Sequence, residues 1–190
     1  ACADETEVLT CPHNDMNYLE TLCKKHKRVA YIADGVYSMG GTTDIEAIRH
    51  LQDRYGLFMY MDDSHSLSTV GKRGAGHIRS NIDTLNEHSI IVASLAKSFG
   101  ASGGVVMFGS AEHKQKILRF GGACNWSQSL NSASIGAGRA SVALHNTDEL
   151  LDLQKKLQDN ITFFDTLIKT KHQGSFTAIR LIHCGQPEIA

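Results

Sequence analysis

Residues 57–65 read Leu57-Phe58-Met59-Tyr60-Met61-Asp62-Asp63-Ser64-His65, an apolar run that passes directly into two carboxylates and an imidazole. A run this short and this apolar predicts a strand, with the polar groups just beyond its end. Upstream, Asp44 can cap a helix that carries Ile45, Ile48 and Leu51 on one face and stops near Gly56. Arg28 to Ala33 (RVAYIA) is an earlier strand that ends at Asp34-Gly35. Residues 14–27 read as a helix, with Asn14 or Asp15 as its N-cap before Tyr18, Leu19 and Leu22. Downstream, Ser89 to Ala93 (SIIVA) is a strand entering Ser94, and Val105 to Phe108 continues the pattern after a glycine pair. Strands alternating with helices predict an α/β fold, a mainly parallel sheet with helices on both faces.

In such sheets, ligands sit beyond the carboxyl ends of the strands. Asp34, Ser38, Asp62, His65, Ser94 and Lys97 all fall at or just after a predicted strand end, so they converge on one rim. Lys97 stands in Ser94-Leu95-Ala96-Lys97-Ser98-Phe99-Gly100-Ala101-Ser102-Gly103-Gly104. Partial burial there would favour a neutral amine, which can form a Schiff base with an aldehyde. Taken alone, the residue reads more readily as a surface lysine in a flexible loop. Asp62 could pair with a protonated ring nitrogen of a cofactor. A charge pair about 4 Å apart at an effective dielectric near 20 is worth roughly 4 kcal/mol, about three pKa units. The competing readings are a turn-capping aspartate and a metal site built from Asp62 and His65, for which no further ligand cluster speaks. Ser94 is a candidate phosphate contact, because its hydroxyl lies beside Lys97. Gly71, Gly74 and Gly76 read as a turn-rich connection, since they do not open a helix directly after a strand.

The bulk properties narrow the classes. The chain has 190 residues, 42% hydrophobic and 21% charged, with a formal net charge of -1, so no basic surface argues for nucleic acid. The five cysteines show no paired CxxC spacing, which points away from zinc and from a disulfide framework and toward a reducing, cytoplasmic setting. No apolar run is long enough to span a bilayer. Residues 1–5 do not resemble a signal peptide, and the chain does not open on Met, which suggests a piece of a longer polypeptide. Most of the ten histidines read as solvent-exposed rings, with His26, His50, His113 and His145 on predicted helices. Ile135, Val142, Leu144, Leu150, Leu151, Leu153, Leu157 and Ile161 read as helical core or interface.

Three segments in order resemble one family. Asp34-Gly35-Val36-Tyr37-Ser38-Met39-Gly40-Gly41, then Asp62-Asp63-Ser64-His65 with Gly71, Gly74 and Gly76, then Ser94-x-x-Lys97-x-Phe99-Gly100-x-x-Gly103-Gly104 are similar to the α-oxoamine synthase segments. That family lies within the fold type I enzymes dependent on pyridoxal 5'-phosphate (PLP). The resemblance implies that Lys97 binds PLP covalently as a Schiff base and later moves the substrate proton, and that Asp62 pairs with the pyridine nitrogen. It places His65 and Ser38 near the phenolic oxygen and Ser94 on the phosphate. It further implies a homodimer that condenses an amino acid with an acyl-CoA to an α-amino ketone, usually with loss of CO2.

The same resemblance divides the chain. Residues 1–140 would be part of a PLP-binding large domain, 141–170 a connecting helix, and 171–190 the beginning of a small C-terminal domain whose first strand is Thr177 to Ile182. Missing by comparison are a glycine loop for the phosphate and an aromatic ring that stacks on PLP, both on the N-terminal side, and an arginine for the substrate carboxylate in the C-terminal domain. Ser68 stands where many members have glycine, and Ala96 where serine or glycine is common. Asn125-Trp126-Ser127-Gln128-Ser129 replaces an aromatic-Ser-Thr-Ser segment near the dimer partner's phosphate site, which makes Ser127 and Ser129 candidates. An aminotransferase, another fold type I activity, or a non-catalytic partner subunit with an inherited PLP fold remain as alternatives.

Overall fold

The apolar runs form neighbouring strands in a computed structural model that describes residues 6–185. Residues 1–5 and 186–190, which hold Cys2 and the outer ends of the first and last expected segments, lie outside the described residues. Strand β1 (Ala30–Asp34) pairs with β2 (Phe58–Asp62), and β2 with β3 (Ser89–Ser94), both in parallel. Strand β4 (Gly104–Phe108) completes the order β1-β2-β3-β4 but runs antiparallel to β3. The reason is the connection. A parallel crossover needs roughly a dozen residues or more, usually with a helix, whereas residues 95–103 link β3 to β4 without one. Leu95 N–H donates to Gly103 O at 2.9 Å, which closes the hairpin that carries Lys97.

Two helices form where the sequence indicates, one before β1 and one in the crossover from β1 to β2. Helix α1 (Met16–Lys25) starts where the Asp15 side chain accepts the Tyr18 N–H at 2.8 Å, so Asp15 rather than Asn14 is the cap. Helix α2 (Ile45–Tyr55) starts where Asp44 accepts the Ala47 N–H at 2.9 Å. It ends at Gly56, whose φ of 68° is left-handed backbone that favours glycine. With the short α3 (His77–Asn81), these helices cover one face of the sheet. Leu19, Ile48, Leu51, Leu57, Met59, Met61, Ile78 and Ile91 form a continuous buried core there. Burying each of these side chains contributes about 1.5–3 kcal/mol.

On the opposite face, α4 (Ala111–Phe120) meets the sheet through an edge-on contact between His113 and Phe58. Ile32 and Val106 on that side stay exposed. A single turn, α5 (Gly122–Asn125), then leads to α6 (Ser132–His145) and α7 (Glu149–Leu167). The stretch 141–170, expected as one connecting helix, therefore holds the end of α6 and all of α7. The expected strand Thr177 to Ile182 is absent: no ladder forms there. Instead Arg180 pairs with Asp165 of α7 at 2.7 and 2.8 Å and donates to the carbonyls of Thr177 and Ile179 at 2.6 and 2.9 Å. A strand exists only by pairing with another, and these carbonyls are taken by the guanidinium.

Candidate active site

Parallel pairing brings the carboxyl ends of β1, β2 and β3 to one edge. Asp34 stands in register with Asp62, and Asp62 with Val92, two residues before Ser94. The loops that follow β2 and β3 then face each other, and Lys97 Nζ lies 2.7 Å from His65 Nε2. The contact joins residues 32 positions apart in the chain.

The strand ends are stitched together by backbone and hydroxyl groups. Asp62 Oδ1 accepts the Ser64 N–H at 2.8 Å, which fixes the plane of the carboxylate. The buried hydroxyl of Ser64 accepts the Ser94 N–H at 2.7 Å and ties β2 to β3. Ser94 Oγ accepts the Ala96 N–H at 3.1 Å, which starts the turn toward Lys97. Beneath the rim, buried Asp63 accepts the hydroxyl of Ser66 and, at 3.0 Å, the Ile78 N–H. A side chain at Gly76 would collide with Asp63 Oδ2, so this glycine is required by close approach as well as by its φ of 89°.

Electrostatics concentrate on the two inner aspartates. Burial and then the neighbouring Asp62 raise the Asp34 carboxyl above its ordinary value, against the opposing pull of His65 and Lys97. Burial raises the Asp63 carboxyl as well, opposed by its bonds from Ser66 and Ile78. Two carboxylates side by side in one register row resist simultaneous ionisation, and a nearby cation relieves that.

The structure thus gathers Asp62, His65, Ser94 and Lys97 on one rim. Lys97 itself is exposed, at the turn between β3 and β4. Ser38 lies exposed in the turn from Tyr37 to Gly40 and makes no hydrogen bond with Lys97, His65 or Asp62. Ser127 and Ser129 are exposed in the segment before α6, and Ser127 donates to Ala123 O rather than facing the rim. Asp34 has a place on the rim from sequence but no role there. Its register with Asp62 supplies one, as the second carboxylate beside Lys97 and His65. Ser64 is legible only as part of a motif, and its bond to Ser94 is a tertiary fact. Among the described residues, no group of three or more His, Cys, Asp or Glu side chains is placed to hold a metal, and no helix is long and apolar enough to cross a membrane.

The chain as a whole is similar to known proteins. The chain is 30% identical over 157 residues to an 8-amino-7-oxononanoate synthase of Geobacter sulfurreducens, a match covering 80% of this chain and 40% of that protein. It is 29% identical over 156 residues to a serine palmitoyltransferase of Bacteriovorax stolpii, covering 80% and 36%. A serine palmitoyltransferase from S. paucimobilis, solved with a bound PLP-myriocin aldimine, superposes with a TM-score of 0.70. Its identity is 18%, over 81% of this chain and 40% of that one, which speaks to the fold. The chain spans about 40% of the length of the curated relatives it matches. The sequence pattern of the family described as "Aminotransferase class I and II" matches residues 3–188, nearly the whole chain. The lysine-bearing hairpin and the carboxylate-bearing strand ends are therefore set in a chain that belongs to the aminotransferase class I and II family.

Proposed function

We propose that the chain supplies the lysine-bearing part of a PLP-dependent acyltransferase of the α-oxoamine synthase type. The enzyme would condense an amino acid with an acyl-CoA to an α-amino ketone, releasing CoA and usually CO2. The observation that carries this reading is the 2.7 Å approach of Lys97 Nζ to His65 Nε2 on the rim that also holds Asp62. The residues fit the cofactor. Lys97 meets a ring nitrogen rather than a carboxylate, so its amine is not tied up in an ion pair, and it can hold an aldehyde-bearing group covalently through Nζ. Asp62, fixed through Oδ1, would offer Oδ2 to a cationic ring nitrogen, and the Ser94 hydroxyl would offer a bond to a phosphate oxygen.

When bound, PLP supplies an electron sink for charge developing at the α-carbon of the amino acid. The chain's own residues then orient and move protons. His65 would take or return a proton at Lys97 Nζ, and Asp34 would balance the positive charge on that pair. Relatives named serine palmitoyltransferase and 8-amino-7-oxononanoate synthase support acyl transfer, and the PLP-bound S. paucimobilis structure supports the cofactor. Under the same reading the enzyme is a cytoplasmic homodimer, with Ser38 near the phenolic oxygen and Ser127 and Ser129 directed toward the partner's phosphate site. Residues 1–140, 141–170 and 171–190 would belong to its large domain, connecting region and small domain.

The test uses the complete polypeptide. It is incubated with PLP, reduced with borohydride and mapped by peptide mass spectrometry, and acyl-CoA turnover is followed by release of free thiol. The expected result is selective pyridoxylation of Lys97, abolished in Lys97→Ala, and CoA release that requires an amino acid. A label on another lysine refutes the role of Lys97. Amino-group exchange without thiol release makes the protein an aminotransferase.

A further inference from the structure

His145 is one of the histidines that the sequence presents as an unremarkable ring on a helix. Its surroundings differ. The ring is half-buried at the last residue of α6, with Nδ1 2.7 Å from the Ser141 carbonyl and Nε2 2.9 Å from Ser68 Oγ. A carbonyl beside Nδ1 requires the proton there, so in the neutral ring Nε2 accepts from the Ser68 hydroxyl. The ring also lies against Phe99, with centroids 5.1 Å apart, and Ser141 Oγ on the same helix donates to the Phe99 carbonyl at 2.6 Å.

Ser68 stands three residues after His65, and Phe99 two residues after Lys97. One side chain thus touches both loops that bring His65 and Lys97 together. Ser68 carries a further sign of constraint. Its φ is 73°, a left-handed conformation that a serine adopts at a cost, and it is held there by its own N–H to Gly74 O at 2.9 Å and by Gln154 donating to its carbonyl at 3.0 Å. Many members of the family it resembles have glycine at this position, which would take that φ freely. Glycine would have no hydroxyl for His145. The strained serine and the helix histidine make sense as a pair.

We propose that His145 is a positioning residue, which acts through Ser68 and Phe99 to fix the His65 loop against the Lys97 hairpin. Its consequence for the reaction rests on the PLP reading above, but the positioning itself does not. The test therefore uses the complete chain without PLP. Backbone hydrogen exchange is measured over residues 66–71 and 98–101, and acetylation of Lys97 relative to the exposed Lys155 is followed across neutral pH.

His145→Ala is expected to raise exchange in both segments about fivefold, the loss of one hydrogen bond's contribution. It should also shift the Lys97:Lys155 acetylation ratio and its pH profile by about threefold. His145→Gln, which keeps an acceptor near Ser68, should restore most of the ratio. Ser68→Gly relieves the backbone strain and so should fold at least as well, yet it should move the ratio in the same direction as His145→Ala. Unchanged exchange and ratio in His145→Ala and Ser68→Gly would overturn the proposal. A rise confined to one of the two segments would overturn it too, because the coupling would be absent. A parent chain that takes no pyridoxyl label at Lys97 would refute the cofactor reading and leave this result standing.

Discussion

Replacing Asp63 by alanine is expected to lower the stability of the protein by about 2–4 kcal/mol. The side chain is 1% exposed and accepts two bonds, from the Ser66 hydroxyl and from the Ile78 N–H at 3.0 Å. Ser66 Oγ in turn accepts the His77 N–H at 2.7 Å, so one carboxylate organises the descent from the rim into α3. A hydrogen bond to a charged group contributes about 1.5–3 kcal/mol, and two of them about 3–6 kcal/mol. Part of this is returned, because burial holds the carboxyl above its ordinary value and alanine removes that cost. Asparagine keeps the volume and one acceptor and should lose only about 1–2 kcal/mol. The pH dependence has a definite sign. A carboxyl raised on folding contributes most below its unfolded value of about 3.9 and loses that contribution as pH rises through the folded value. The advantage of the parent over Asp63→Asn should therefore grow as the pH falls through this window. Urea unfolding followed by far-ultraviolet circular dichroism is the assay, since Trp126 is 91% exposed and would report the core poorly. An Asp63→Ala variant within about 0.5 kcal/mol of the parent would refute the reasoning, as would a parent advantage that grows with rising pH.

Met59 is wholly buried among Leu19, Ile48 and Ile91, so Met59→Ala should cost about 2–5 kcal/mol in the same assay, while Ile32→Ala, 70% exposed on the open face of the same sheet, should stay within about 0.5 kcal/mol. Equal losses at the two positions would show that the assignment of faces is wrong. Arg180 and then the Gly174 N–H hold the Asp165 carboxyl down at about 2. A depressed carboxyl stabilises above its unfolded value of about 3.9 and loses that contribution as pH falls toward 2. Thermal melts of the parent and Asp165→Asn should then converge as the pH is lowered through that window, and a constant gap would count against the ion pair.

The strands and helices around the core were legible because their signals are local. A five-residue run such as SIIVA, a capping aspartate directly before the first helical residue, and a glycine at a helix end each act over a few residues. The rim was legible for the same reason: Asp62, His65, Ser94 and Lys97 each follow a strand end, and parallel pairing then has one edge on which to put them. The direction of β4 was set by the shortness of its connection, a consequence that apolar pattern does not express. Thr177 to Ile182 had the composition of a strand, but Arg180, held by Asp165, occupies the carbonyls of Thr177 and Ile179. Lys97 could not be judged buried or exposed from its neighbours in sequence, since burial is conferred by whatever packs above the hairpin. Ser68 and His145, 77 residues apart, carry no mark of one another in the chain. Local preference fixes which elements form and which residues end them; contacts between distant segments depend on how those elements close on each other, and only the folded arrangement supplies that.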